Sequence, residues 1–428
     1  ELFYPDEVST SYILTHIAKY LSSDFEVGVI CGPNETGNQG EPLEEDIRVI
    51  RHNVFAWSKN NIILRLFRLI GLSIVLFVSA IKHIRTNDKV LIVTNPAPML
   101  LLFSMVNMFR KCELTILVHD VFPENTIAAG LVKSPNSILY KLLKVLFDKA
   151  YAKADKLIVL GRDMRNVIKE KIKGNHTRIY IIENWADIDV VYPTPKDDSL
   201  YDFNCEGKIL IQYAGNVGRV QGLEKFIQCL HHSQNPDIHM VIWGDGAVLP
   251  KLKQYVESNH ISNVSFMGAY RRSDQNKIIS SCDLSLISLS DNMYGLGVPS
   301  KSYNIMAAGS PILFIGDASS EIALTVKENE LGYVVNNNEA DIIEFLKNLH
   351  PDQLPQMQQF AKNARYVAET IEEVYVQNNI TPNEADVKMQ MEDFVKSYLV
   401  RVCLLRDYDF TSRNNGFLVN DKEKTIRL

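Results

Sequence analysis

A strand-like run, Ile209 to Ala214, leads into Gly215-Asn216-Val217-Gly218-Arg219-Val220-Gln221-Gly222 and then into a helical stretch, Leu223 to His231. A chain that passes from a strand through glycines into a helix N-terminus presents unpaired amides to an anion with few Cβ atoms in the way. Gly215, Gly218 and Gly222 would shape such a loop, and Arg219 would add a fixed positive charge suited to a diphosphate. An ordinary turn of a doubly wound domain has the same pattern, so two readings stand at this point.

A second segment, Asp291-Asn292-Met293-Tyr294-Gly295-Leu296-Gly297-Val298-Pro299-Ser300-Lys301, is followed by helical Ser302 to Ala308 and by Gly309. Pro299 suits a helix start and puts Ser300 and Lys301 in the first turn. A lysine there opposes the helix dipole, which makes sense if an anion lies between them. A solvated lysine on a capped helix is the plainer alternative.

Other candidates carry less. Asp187-Ile188-Asp189 has the look of a metal-binding acidic pair but lies on the approach to a linker with no supporting cluster, so no metal site is assigned. His231-His232 reads as a solvated helix surface. No Ser/His/Asp or Cys/His nucleophile set is evident, and no cofactor is called for beyond a co-substrate.

The elements that must position these residues alternate short β-rich runs with helices, the pattern of parallel α/β sheets. The first series of strands is 25–31, 47–52, 89–94, 113–118, 156–160 and 178–182. The second is 208–214, 239–243, 264–267, 284–288, 311–315 and 332–335. Pro- and Asp-containing Tyr192 to Gly207 has a linker's composition and separates a first domain, 1–192, from a second, 193–370. A polar tail, 371–428, reads as amphipathic helix to Leu405 and turn-rich beyond, with no functional reading. The first domain lacks a recognisable opening strand, because Tyr4-Pro5-Asp6-Glu7 reads as the loop after one and Ser9 to Leu21 as the helix beyond it.

A chain of 428 residues, 46% apolar and 22% charged, is long enough for two ordinary globular cores. Its net charge of -6 argues against wholesale nucleic-acid binding. From Lys59 to Lys89, however, six basic residues meet one acidic residue around an apolar run, Ile62 to Ile84. Its uncharged centre is shorter than a membrane span requires, so it reads either as an interfacial helix on anionic lipid or as a buried domain helix. Six scattered cysteines read as reduced and buried, and the Glu1-Leu2-Phe3-Tyr4-Pro5 start shows no secretory signal. The expected compartment is the cytoplasm, with peripheral contact at the inner face of the cell membrane.

Taken in order, Gly215-Asn216-Val217-Gly218, Gly244-Asp245-Gly246, Phe266-Met267-Gly268, Pro299-Ser300-Lys301 and Met306 to Pro311 resemble the family 4 glycosyltransferases, in particular bacterial enzymes of O-antigen and capsule synthesis. Val118-His119-Asp120-Val121-Phe122-Pro123-Glu124 and Glu183-Asn184-Trp185-Ala186-Asp187 extend the resemblance into the first domain. It implies the GT-B fold, two Rossmann-like domains facing across a cleft. The first would bind an acceptor and the second a nucleotide sugar, with retention of configuration and no essential metal.

Carried over residue by residue, the resemblance gives His119, Arg219 and Lys301 catalytic roles. Gly215, Asn216, Gly218, Asp245, Gly246, Met267, Gly297, Ser300, Asn304 and Glu321 would hold the donor. Ser9 and Thr10, standing where a glycine pair is expected, would meet the acceptor with Asp120 and Glu124, unless the last two simply cap the following helix. The family's two glutamates, separated by seven residues, are here Leu296 and Asn304, and its phosphate-loop Arg and Lys are Asn216 and Gln221. The implied reaction moves a sugar from a UDP-type donor to a lipid-linked glycan. A UDP-sugar 2-epimerase of the same architecture and a non-catalytic nucleotide-sugar-binding subunit are the alternatives.

Overall fold

The computed structural model describes residues 3–6, 9–34, 47–53, 62–128, 130–132, 134–173, 177–376 and 425–427. They form two compact units. The first comprises 1–124, 134–183 and 384–428, and the second 125–133 and 184–383. The division at Glu183/Asn184 corrects the boundary expected at Tyr192. Tyr192 to Gly207 has a linker's composition but belongs to the second unit: Tyr201 is buried with its hydroxyl donating to the Ser281 carbonyl at 2.8 Å, and Lys196 pairs with Asp283 at 2.9 Å.

The first unit holds strands β1 (Glu26–Cys31), β2 (Ile47–Arg51), β3 (Lys89–Val93), β4 (Glu113–Val118), β5 (Lys156–Val159) and β6 (Arg178–Ile181). With them go helices α1 (Ser9–Ser22), α2 (Ile62–His83), α3 (Pro98–Phe103), α5 (Ile138–Tyr151) and α6 (Arg162–Lys171), while the short α4 (Glu124–Ala128) starts on the last residue of the 1–124 segment and otherwise falls in the second unit. Its strands pair in parallel, and the middle ones are buried almost throughout because helices cover both faces of such sheets. Between β1 and β3 lies a short parallel strand from the tail (Thr425–Arg427), paired to Glu26–Gly28 and to Lys89–Val90. Further along, an apolar pocket is lined by Val29, Cys31, Leu91, Val93, Leu76 and Phe3. Of the helix expected from 371 to Leu405, residues 371–376 are helical and the rest falls outside the described residues.

The second unit holds β7 (Ile209–Ala214), β8 (Ile238–Trp243), β9 (Val264–Gly268), β10 (Leu284–Ser288), β11 (Ile312–Gly316) and β12 (Gly332–Asn336), and the tail strand above is β13. Its helices are α7 (Leu223–Ser233), α8 (Leu249–Ser258), α9 (Gln275–Ser280), α10 (Lys301–Ala307), α11 (Glu321–Glu328), α12 (Glu339–Lys347) and α13 (Leu354–Val376). The strand order is β12-β11-β10-β7-β8-β9, all parallel. Alternation along β7 buries both faces: Ile209, Ile211 and Tyr213 join the core with α7 and α12, while Leu210 and Ala214 pack with Tyr201, Trp243 and Cys282. Chain order reverses between β7 and β10, and there a doubly wound sheet opens a crevice at its carboxyl edge.

Among the described cysteines, Cys31, Cys205, Cys229 and Cys282 are buried and unpaired, and Cys112 is half-buried.

Candidate active site

The second-unit candidates gather along one edge of the sheet. Gly215, Asn216, Gly218 and Arg219 follow β7, Asp245 and Gly246 follow β8, and Met267 lies at the end of β9. Gly297, Ser300, Lys301 and Asn304 come after β10 and into α10, and Glu321 opens α11 after β11. Because the strands are parallel, all these loops leave from carboxyl ends.

Lys301 occupies the switch point itself. Pairing of β7 with β10 is confined to Ile211 with Leu284 and Gln212 with Ser285. Beyond those pairs the Lys301 Nζ donates to the Leu286 carbonyl of β10 at 3.4 Å and stands 3.5 Å above the centre of the Tyr213 ring on β7. A Cβ built on Gly215 would lie 4.0 Å from the Lys301 Cδ, so the glycine loop and the lysine share one place. Burial pulls the ammonium down from its ordinary value to about 7. No acidic side chain among the described residues pairs with it. A desolvated cation without a counter-ion is costly, and a bound anion would supply what is missing.

The loops around it lock together. Val217 donates its N–H to the Asp245 carbonyl at 2.8 Å and Gly215 donates to Trp243 at 2.9 Å. Gly244 has φ +130°, and a Cβ there would come within 1.9 Å of the Gly215 carbonyl oxygen; one on Gly246 would come within 2.3 Å of that of Val217. The Gly-Asp-Gly turn thus contains glycine for close approach as well as for conformation. Asp245 accepts from the N–H of Gly246 at 2.7 Å and holds the turn. Arg219 is exposed at the head of a short 3-10 turn, and Ser300 caps α10 without its side chain bonding the helix.

Beside this, at the ends of β10, β11 and β12, lies a polar hollow lined by Ser290, Asp291, Tyr294, Asp317, Ser319 and Asn337, among others. Lys225 and Asn337 both bond the Asp291 carboxylate, at 3.3 and 2.9 Å. Leu296, in the place of a family glutamate, is buried, and Asn304 stands one turn into α10. Glu321 is almost wholly buried at the start of α11.

In the first unit, His119 and Asp120 follow β4, and both backbone N–H groups donate to the Thr94 hydroxyl at 3.0 Å. Burial lowers the His119 imidazole to about 4, so it is neutral at physiological pH, and its Nε2 has no partner. It is suited to one hydrogen bond and not to an ionic clamp. Ser9 and Thr10 open α1.

Glu124 has a different occupation from the one expected. Its Oε1 accepts from Lys144 and Lys171 at 2.9 and 2.8 Å, and its Oε2 accepts from Lys171 at 2.7 Å. The Lys171 side chain is only 1% exposed and also pairs with Asp148 at 2.5 Å. Burial raises the Glu124 carboxyl, and the two lysines outweigh it and leave the group below its ordinary value. The network ties the first residue of α4 to α5 and to the last residue of α6. Replacing Lys171 by methionine should destabilise the protein by about 3–5 kcal/mol, since two carboxylates lose a buried partner. Because the folded Glu124 is depressed, its contribution is complete above the unfolded carboxyl range and disappears as pH falls through its folded value. Denaturant titrations at pH 7 and pH 4 should show the variant's deficit shrinking at the lower pH.

Asp187 caps its own turn, accepting from the N–H groups of Asp189 and Val190 at 3.0 Å. Among the described residues no group of three or more His, Cys, Asp or Glu side chains could hold a metal ion.

Two doubly wound units, the second with a glycine loop and a lone cation at its switch point, define a GT-B type of protein. Residues 202–367 match the glycosyl transferases group 1 family. A curated relative, the probable glycosyltransferase WbjE of Pseudomonas aeruginosa, is 35% identical over 278 residues, which cover 64% of this chain and 69% of that one. Among solved structures, sucrose-phosphate synthase (tll1590) from Thermosynechococcus elongatus is similar with a TM-score of 0.65 at 12% identity, covering 92% of this chain and 94% of that one. Anabaena Alr3699/HepE in complex with UDP and glucose has a TM-score of 0.59 at 16% identity, covering 92% and 98%. The chain belongs to the group 1 glycosyltransferases, and it carries their GT-B fold.

The glycine loop and Lys301 were readable as motifs. Tyr213 gives no such signal, because an aromatic inside an apolar strand has the pattern of core, and only its place beneath the lysine distinguishes it. On α5 the side chains of Ile138, Leu139, Leu142, Val145 and Leu146 are exposed, although their helical spacing is that of any buried face.

Proposed function

We propose that this glycosyltransferase moves a sugar with retention from a UDP-type donor to a lipid-linked glycan in surface-polysaccharide synthesis. The observation that carries the reading is the buried, unpaired Lys301 ammonium beside Gly215 at the switch point. There it would receive the diphosphate charge released as the glycosyl bond breaks, with loop amides and exposed Arg219 adding to it, so that no metal is needed for that charge. Asn216, Gly218, Asp245, Gly246, Met267, Gly297, Ser300, Asn304 and Glu321 complete the donor site in this reading. Neutral His119 would hydrogen-bond a sugar hydroxyl, and Ser9, Thr10 and Asp120 would meet the acceptor. The HepE complexes with UDP support the choice of nucleotide.

The test is incubation with UDP-, GDP- and dTDP-sugars, with and without a polyprenyl-linked acceptor. Product is expected only with a UDP-sugar and the acceptor together. Sugar epimerised without acceptor would overturn the reading in favour of an epimerase, and nucleotide binding with no product in favour of a binding subunit.

A membrane contact through α2 belongs to the same proposal. No helix among the described residues is long and apolar enough to cross a membrane. The α2 helix has no acidic residue, buries Leu72 and Leu76, and shows Ile74 and Val78 to solvent, 49% and 47% exposed. The neighbouring helical layer continues this apolar character: Met108 and Phe109 follow α3, and α5 exposes Ile138 at 87% and Leu142 at 57%. Basic Arg68, Lys82, Arg110 and Lys141 stand among them. Apolar stripes with cations beside them fit an anionic leaflet. Ile74→Glu and Leu142→Glu should each weaken co-sedimentation with phosphatidylglycerol vesicles by about tenfold. Unchanged binding by both would remove the contact.

A further inference from the structure

Tyr213 is 1% exposed in the centre of the second unit's sheet, where phenylalanine would fill the same space. Its hydroxyl is nevertheless used: it donates to the Asn216 carbonyl at 2.7 Å, across the bend of the glycine loop. Its ring face lies 3.5 Å beneath the Lys301 Nζ, well inside the range of a cation–π contact, which strengthens when the cation is desolvated. A Cβ on Gly215 would lie 4.0 Å from both the Tyr213 hydroxyl and the Lys301 Cδ, so the three groups meet at one point.

We infer that Tyr213 is a positioning residue for the donor diphosphate, its ring fixing the Lys301 ammonium and its hydroxyl fixing the loop that carries Gly215 and Asn216. The inference rests on the reading of Lys301 as the diphosphate's partner. One side chain sets the register between the loop after β7 and the helix after β10, across the crevice between them. Among the described residues the contacts of the ammonium are the Tyr213 ring and the Leu286 carbonyl, so no carboxylate is at hand to replace the ring's contribution.

The test compares Tyr213→Phe, Tyr213→Met and Lys301→Met with the unaltered protein, with UDP affinity measured by calorimetry from pH 6 to 9 and folding checked by thermal melting. Tyr213→Phe keeps the ring and should retain the pH midpoint of UDP binding, while affinity drops several-fold at every pH because the loop loses its anchor. Tyr213→Met loses the ring as well. Its midpoint should move to lower pH, and affinity at pH 8 should fall about tenfold. A folded Tyr213→Met protein with the original midpoint would overturn the ring's role, and wild-type affinity in Tyr213→Phe would overturn that of the hydroxyl. Unchanged UDP affinity in Lys301→Met would instead refute the donor reading on which the inference stands. If Tyr213→Met does not fold, Tyr213→Leu takes its place, with the same two outcomes.

Discussion

Lys301→Met should lower kcat/KM for sugar transfer by about 10²–10³-fold, the usual effect of deleting one preorganised group that meets charge developing in a transition state. Methionine keeps the apolar stem that passes Gly215 and the Tyr213 ring, so the loss would report the cation and not the packing. Burial pulls the free protein's ammonium down from its ordinary value to about 7, so it loses its proton far more readily than an exposed lysine. A bound diphosphate favours the charged form. Donor affinity should therefore weaken as pH climbs above about 7, and this slope should be absent from the variant. The sign for stability runs the other way. Between about 7 and the ordinary lysine value near 10.4 the unfolded chain holds the extra proton, so without ligand this residue's contribution to stability rises with pH. Steady-state kinetics and UDP calorimetry at pH 6, 7, 8 and 9 would check both proteins, and an equal slope in each would refute the assignment.

Gly244→Ala should be the more damaging change to the fold itself. The added Cβ would press to 1.9 Å from the Gly215 carbonyl oxygen, and the backbone at φ +130° is one that side chains rarely adopt. The atoms it would meet are all Gly215 backbone, with no flexible side-chain end that could swing aside. Strain of this sort costs about 1–3 kcal/mol, and the forced separation of two backbones adds a comparable amount. We expect a loss of about 3 kcal/mol or more, read by denaturant unfolding, and UDP binding should fall with it because the displaced backbone is that of the loop proposed to hold the diphosphate. Gly71→Ala, where nothing lies within 4 Å of the new atom, is the control and should fold normally.

Most of the architecture could be read from the order of residues. Parallel strands buried on both faces leave short runs rich in apolar residues, so β4 and β10 fall at the residues expected, 113–118 and 284–288, and the other early strands agree to within a residue or two at their ends. Gly215 marks a loop through its positive φ and Gly244 through a backbone approach that leaves no room for a Cβ, and Lys301 stands out because its charge opposes the helix it begins. Partnerships set in three dimensions were not legible. Glu124 looks like any acidic helix start until Lys171, far along the chain, is seen to close on it. Tyr192 to Gly207 has the prolines and aspartates of a connector, and only the burial of Tyr201 shows it to be part of the second unit. The tail strand β13 has too few residues to announce itself by periodicity.

The interlocking of the turns after β7 and β8 has a thermodynamic corollary. Two loops whose backbones touch through absent Cβ atoms and share hydrogen bonds at 2.8 and 2.9 Å cannot wander independently. Their freedom was surrendered when the polypeptide collapsed, so nucleotide capture need not immobilise them again, and affinity escapes that entropic toll.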